Sequence, residues 1–154
     1  MKPGMGHNKG AAFERQIAKM IVHAFREHGI KQRECWRSTL SGGHAMSCGD
    51  LYLSDRLAEL FPWAIECKYY RKIDWQNFLF PVKYRKKSWK EWQWIKQADD
   101  AVAAKPELGL HPLLVLKENR GPIYVMGWDE QGLTLYLFRD FLERSVAACR
   151  KLLP

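Results

Sequence analysis

No run of apolar residues in this 154-residue chain is longer than a handful, against the roughly 20 that a helix needs to cross a bilayer. A membrane-spanning role is therefore not expected. Cysteine is sparse and scattered. Cys35, Cys48, Cys67 and Cys149 form no C-x-x-C pair, the spacing typical of structural zinc sites. His44 and Cys48 could in principle join Cys35 in a zinc site, but the closely paired ligands of structural zinc sites are lacking. With no secretory leader read ahead of the cysteines, the expectation is reduced thiols in an intracellular, cytoplasmic protein. Internal repeats, low-complexity tracts and a linker composition are also missing, which argues against a solenoid and for one domain over residues 1–154. Acidic side chains are the scarcer charge: 17 against 25 lysines and arginines, a formal net charge of +8. That excess draws the protein toward polyanions, of which nucleic acid is the commonest in a cell.

What is present patterns as a mixed α/β fold. Residues 1–10 are glycine-rich and basic and are expected to form a flexible arm. Phe13, Ile17, Met20, Ile21 and Ala24 fall at helical spacing, with Gly29 as a stop signal, so a helix is predicted over Ala11–His28. Strands are predicted at Glu34–Leu40, Gly49–Leu53 and Trp63–Tyr70, the first two separated by the loop SGGHAMSCG. Ser88 with Glu91 three residues later reads as a capping box opening a second helix that ends before Pro106. Strands at Pro112–Lys117 and Ile123–Trp128 follow, then a helix over Phe138–Leu152. The predicted order is α-β-β-β-α-β-β-α, a mixed sheet flanked by helices.

Side chains two apart on a strand share a face, so Glu66 and Lys68 project together while Ile65 and Cys67 face the other way. If the Gly49–Leu53 strand pairs antiparallel with Trp63–Tyr70, Asp50 joins that face. Two carboxylates and a lysine then make a hard oxygen site suited to magnesium, able to lower the pKa of a bound water. An acidic-x-Lys triplet alone is weak: 17 acidic and 14 lysine residues give about one or two by chance, and a solvated ion pair is the plain alternative. Context favours the site. Downstream, residues 68–96 hold nine basic side chains, Arg71, Lys72, Arg85, Lys86 and Lys87 among them, against two acidic ones, with nine aromatics interleaved. Cations there would neutralise phosphates, and aromatics could stack on bases or else serve the core.

With these residues placed, the chain resembles the archaeal-type Holliday junction resolvases, a branch of the PD-(D/E)-x-K nucleases also found in phages. KGAAFER at residues 9–15 is similar to the family's lysine-glycine stretch leading to a helical glutamate. Arg37 followed by Ser41-Gly42-Gly43 resembles its arginine and serine-glycine-glycine loop. Gly49-Asp50 stands where the family has Pro-Asp, Glu66-Cys67-Lys68 stands for its Glu-x-Lys strand, and Lys117 resembles a lysine of a later strand.

The resemblance implies a restriction-endonuclease-like fold. It also implies a magnesium-dependent endonuclease, with manganese substituting, that nicks four-way DNA junctions as a homodimer and leaves 5′-phosphate and 3′-hydroxyl ends. Asp50, Glu66, Glu14 and the Cys67 backbone carbonyl would hold the metal, Lys68 and Ser41 would join the catalytic set, and Lys9, Arg37, Gly42, Gly43 and Lys117 would contact DNA. Trp75–Phe80 and the last helix are candidate dimer surfaces. The resemblance spans roughly residues 9–118, and residues after about 120 extend beyond it.

Overall fold

A four-stranded sheet in the order β3-β4-β5-β6 organises the chain. In the computed structural model, residues 5–38, 48–79, 86, 88–129 and 132–150 are described. The strands are β3 (Trp63–Tyr70), β4 (His111–Glu118), β5 (Ile123–Asp129) and β6 (Gly132–Leu137). β3 and β4 pair parallel, and the other neighbours antiparallel, so the sheet is mixed. Two short strands, β1 (Cys35–Arg37) and β2 (Leu51–Leu53), form a separate antiparallel ribbon. The helices are α1 (Met5–Ala24), α2 (Asp55–Leu60), α3 (Gln76–Leu79), α4 (Lys90–Ala103) and α5 (Phe138–Arg150).

Sheet alternation builds the core twice. Ile65, Cys67, Leu113, Val115 and Val125 pack on one side with Phe13, Ile17 and Ile21 of α1 and Phe138 and Leu142 of α5. Leu114, Leu116 and Met126 pack on the other with Trp94 and Ile95 of α4 and with Ile73 and Phe78. Burial on both faces explains why β4 reads as a continuous apolar run without alternation.

Several expectations change. α1 begins at Met5 rather than Ala11, so Lys9 and Gly10 belong to the helix instead of a loose arm. The expected antiparallel pairing of Gly49–Leu53 with β3 does not occur. The chain crosses over through α2, whose N-cap Ser54 accepts the Leu57 N–H at 3.2 Å, and Gly49 meets Ile65 in a single parallel bridge. A crossing helix returns a chain in the same direction, where a tight turn would reverse it. Ser88 and Glu91 form no capping box: α4 is capped at Trp89 without a side-chain bond, and Glu91 is buried. Trp94 is buried in the α4 core contact, and the partly buried Trp92 packs against the same cluster. In the described part of the Trp75–Phe80 stretch, Phe78 is buried, Trp75 packs edge-on against Tyr124 and Gln76 is exposed. Beyond residue 120, β5, β6 and α5 complete the sheet and its core. No helix among the described residues is long and apolar enough to cross a membrane.

Candidate active site

β3 lies at the edge of the main sheet, and its free edge gathers the candidate chemistry. The Asp50 N–H donates to the Ile65 carbonyl at 2.7 Å, and the Cys67 N–H donates to Asp50 Oδ2 at 2.7 Å. The carboxylate is thus held from its own backbone and through one oxygen. An N–H and C=O of one strand residue point to the same neighbour, so the Cys67 carbonyl leaves β3 on the Asp50 edge as well.

Gly49 makes this approach possible. Its φ is +85°, and a Cβ there would lie 2.5 Å from the Ile65 carbonyl oxygen. Proline, locked near −65°, cannot take that conformation. The Gly-Asp in place of Pro-Asp therefore follows from how this chain reaches the strand edge.

Glu66 and Lys68 share the α4 face, as their spacing predicts. Lys68 Nζ donates to Glu66 Oε1 at 2.5 Å and to Gln97 Oε1 of α4 at 3.0 Å. Glu66 is only 3% exposed, so this is not the solvated surface pair that the triplet alone would suggest. Glu14, from α1, bonds Arg37 of β1.

Burial raises the Asp50 carboxyl, the Glu66 carboxylate raises it further and Glu14 adds a smaller push; the Cys67 amide and Lys68 oppose them, leaving it at about 7. Asp50 thus feels both glutamates. Even so, no group of three or more His, Cys, Asp or Glu side chains among the described residues is arranged to hold a metal. Glu66 is turned to Lys68 and Glu14 to Arg37. The donors that fit a hard divalent cation are two carboxylates, Asp50 and Glu66, and the edge carbonyl of Cys67, all oxygen. The Cys67 thiol is not among them, since burial pushes it well above its usual range. Burial likewise raises Cys35 to about 12 and raises Cys48 and Cys149; all four thiols are free and buried.

The remaining sequence candidates separate into groups. Lys9 Nζ lies 3.8 Å from the Tyr69 ring centroid and donates to Asn119 Oδ1 at 2.5 Å, while Lys117 Nζ approaches the same ring at 5.3 Å. These two lysines, from opposite ends of the matched motifs, flank one aromatic. Arg71 and Lys72 are exposed just past β3, and Lys86 is exposed. Ser41, Gly42, Gly43, Arg85 and Lys87 lie outside the described residues. Gln97 was missed: nothing in its helical spacing distinguishes it, and only the packing of α4 on β3 brings it to Lys68.

Among models of protein families, residues 5–140 match the one described as "Phage putative PDDEXK endonuclease". No curated protein and no solved structure matches the chain.

Proposed function

The chain belongs to this phage PDDEXK endonuclease family, and from that premise we propose that Asp50, Glu66 and Lys68 form the site at which it hydrolyses DNA phosphodiesters, with magnesium as cofactor and manganese able to replace it. One observation carries the assignment: the backbone clamp that fixes Asp50 on the β3 edge beside Glu66 and Lys68. A divalent cation held by Asp50, Glu66 and the Cys67 carbonyl supplies a water of lowered pKa and offsets phosphate charge.

The protein's own groups do the rest. With Glu66 serving a bound cation, Lys68 would be free to hold its ammonium against the phosphate, with Gln97 steadying it. Arg37, released from Glu14, gains a phosphate as partner, and Glu14 supplies a third carboxylate. The water oxygen, giving up a proton to solvent, bonds to phosphorus as the bond to the 3′ oxygen breaks and that oxygen takes up a proton from water, giving a 5′-phosphate and a 3′-hydroxyl.

The resemblance to archaeal-type resolvases supports the four-way junction as substrate. Its two symmetric strands call for a twofold homodimer with two sites, for which the Trp75–Phe80 stretch and α5 are the candidate surfaces. Lys9, Arg71, Lys72, Arg85, Lys86, Lys87 and Lys117 serve as phosphate contacts in this reading, Ser41 joins the catalytic set and Gly42 and Gly43 contact DNA as the resemblance implies, and the whole chain acts as one nuclease domain.

The test compares the wild type with Glu66→Ala on an end-labelled four-way junction and a matched linear duplex, each with magnesium or chelator. Paired symmetric nicks on the junction alone, lost in the variant, are expected. Cutting of both substrates would keep the nuclease and discard junction selectivity; binding without cutting would overturn the site.

A further inference from the structure

β1 and β2 form a ribbon whose two faces differ sharply. Cys35, Leu51 and Leu53 are buried in the α1 core, whereas Trp36 is 44% exposed. Trp36 and Tyr52 are direct cross-strand partners, and their rings are stacked with centroids 3.9 Å apart and an interplanar angle of 26°. A cross-strand aromatic pair stabilises a ribbon, but that role leaves much of the indole open to water, where an aromatic surface is suited to a partner.

The position of the pair points to its occupant. Trp36 stands two residues before Ser38, whose N–H donates to the Asp50 carbonyl at 2.9 Å, and Tyr52 stands two residues after Asp50. At about 3.3 Å per strand residue, the stack lies roughly 7 Å along the chain from Asp50, within a nucleotide or two of a phosphate bound there. Arg37, next in sequence, faces the other side of the ribbon toward Glu14, and the chain carries a net +8, which suits a polyanion. Paired bases are already covered on both faces by their neighbours; a base at a branch point, flap or gap is not.

We propose that Trp36, backed by Tyr52, is a stacking platform that takes an unpaired base next to the attacked phosphate, and so selects branched or locally opened DNA over intact duplex. The inference deepens the nuclease reading and rests on it for the position of the phosphate. The platform adds a third ring to a preformed two-ring stack, so little ordering accompanies binding. No base-specific hydrogen bond is needed, and the preference is for an exposed base of any sequence.

The experiment places 2-aminopurine, whose fluorescence falls on stacking, at the first unpaired position of a flap and, separately, within matched duplex. Each DNA is titrated with full-length protein in calcium, with cleavage in magnesium followed in parallel. Quenching of the unpaired probe alone is expected with the wild type. Trp36→Phe should retain it. Trp36→Ala should abolish it and weaken flap binding about five- to a hundred-fold, as should Trp36→Leu, which keeps an apolar contact on Tyr52 if the alanine variant folds poorly. Undiminished quenching in the folded alanine or leucine variant, or equal weakening on flap and duplex, would overturn the platform. So would a change in oligomeric mass on Trp36→Ala with quenching intact, because it would seat a second copy of the chain on Trp36 instead. Absence of cleavage with Trp36-dependent quenching intact would sink the nuclease reading and leave the platform standing.

Discussion

Asp50 illustrates how much a single side chain owes to its neighbours. Burial and Glu66 lift its carboxyl from 3.8 to about 7, so between those values the folded protein holds a proton that the unfolded chain releases. By linkage, this contribution to stability is fully present below about pH 4 and is lost as pH rises through 7. In chelator, the wild type is therefore expected to lose stability between pH 5 and pH 8 relative to Asp50→Asn, by a few kcal/mol at most, read from melting at each pH; parallel profiles for the two proteins would remove the clustering of carboxylates around Asp50. Gly49 yields a second residue-scale prediction. Gly49→Ala must relieve both a positive φ and a 2.5 Å approach to backbone, which should lower the melting temperature by several degrees and abolish metal-dependent cutting together. An alanine variant with wild-type stability and activity would show that the clamp on the β3 edge is not needed. The Glu66-x-Lys68 pairing was legible from strand period alone. Gly49 was legible only as a departure from Pro-Asp, because its reason, the Ile65 carbonyl, lies across space.

At the level of elements, Glu91 shows how local grammar misleads. Three residues after Ser88 it imitates a capping box. Its carboxylate instead turns inward, accepting the Asp74 N–H at 3.3 Å and Asn77 Nδ2 at 3.0 Å, while Glu118 of β4 accepts the Ile73 N–H at 2.7 Å. Two acids thus tether the segment between β3 and α4, and Ile73 and Phe78 are seated in the second core as a result. Glu91→Ala leaves two part-buried donors to water or unmatched at a cost of about 1 kcal/mol, so thermal melting should fall by roughly 2–4 °C, with Glu91→Gln recovering part of it. A neutral alanine variant would mean water replaces the carboxylate without loss. α1, β3, β4, β5 and α5 were readable because each shows a sustained period or apolar run. α2 and β6 were passed over: α2 is six residues long, and β6 is an edge strand with Leu135 and Leu137 half exposed, so neither carries a strong burial signal.

Across the whole molecule, the candidate site and the fold are coupled, since the carboxylates come from α1, the turn before β2, and β3. Any cation that binds the folded arrangement and not the unfolded chain must stabilise it. At tenfold excess over Kd the gain is about 1.4 kcal/mol, or roughly 3–6 °C for a chain of this size. Melting in millimolar magnesium or manganese should show that rise in the wild type and not in Asp50→Asn; an unchanged wild-type midpoint would count against the proposed metal site.

The sequence by itself determined the α/β class, the two-faced β3 with Glu66 and Lys68 on one side and the basic balance, because all of these follow from period and composition along the chain. Tertiary structure alone decided that Asp50 arrives at β3 by a parallel crossover, that Gln97 meets Lys68, that Lys9 and Lys117 share Tyr69 and that Trp36 is left facing water. Those facts depend on which elements pack together, and packing is a balance over the whole chain that no local window of residues contains.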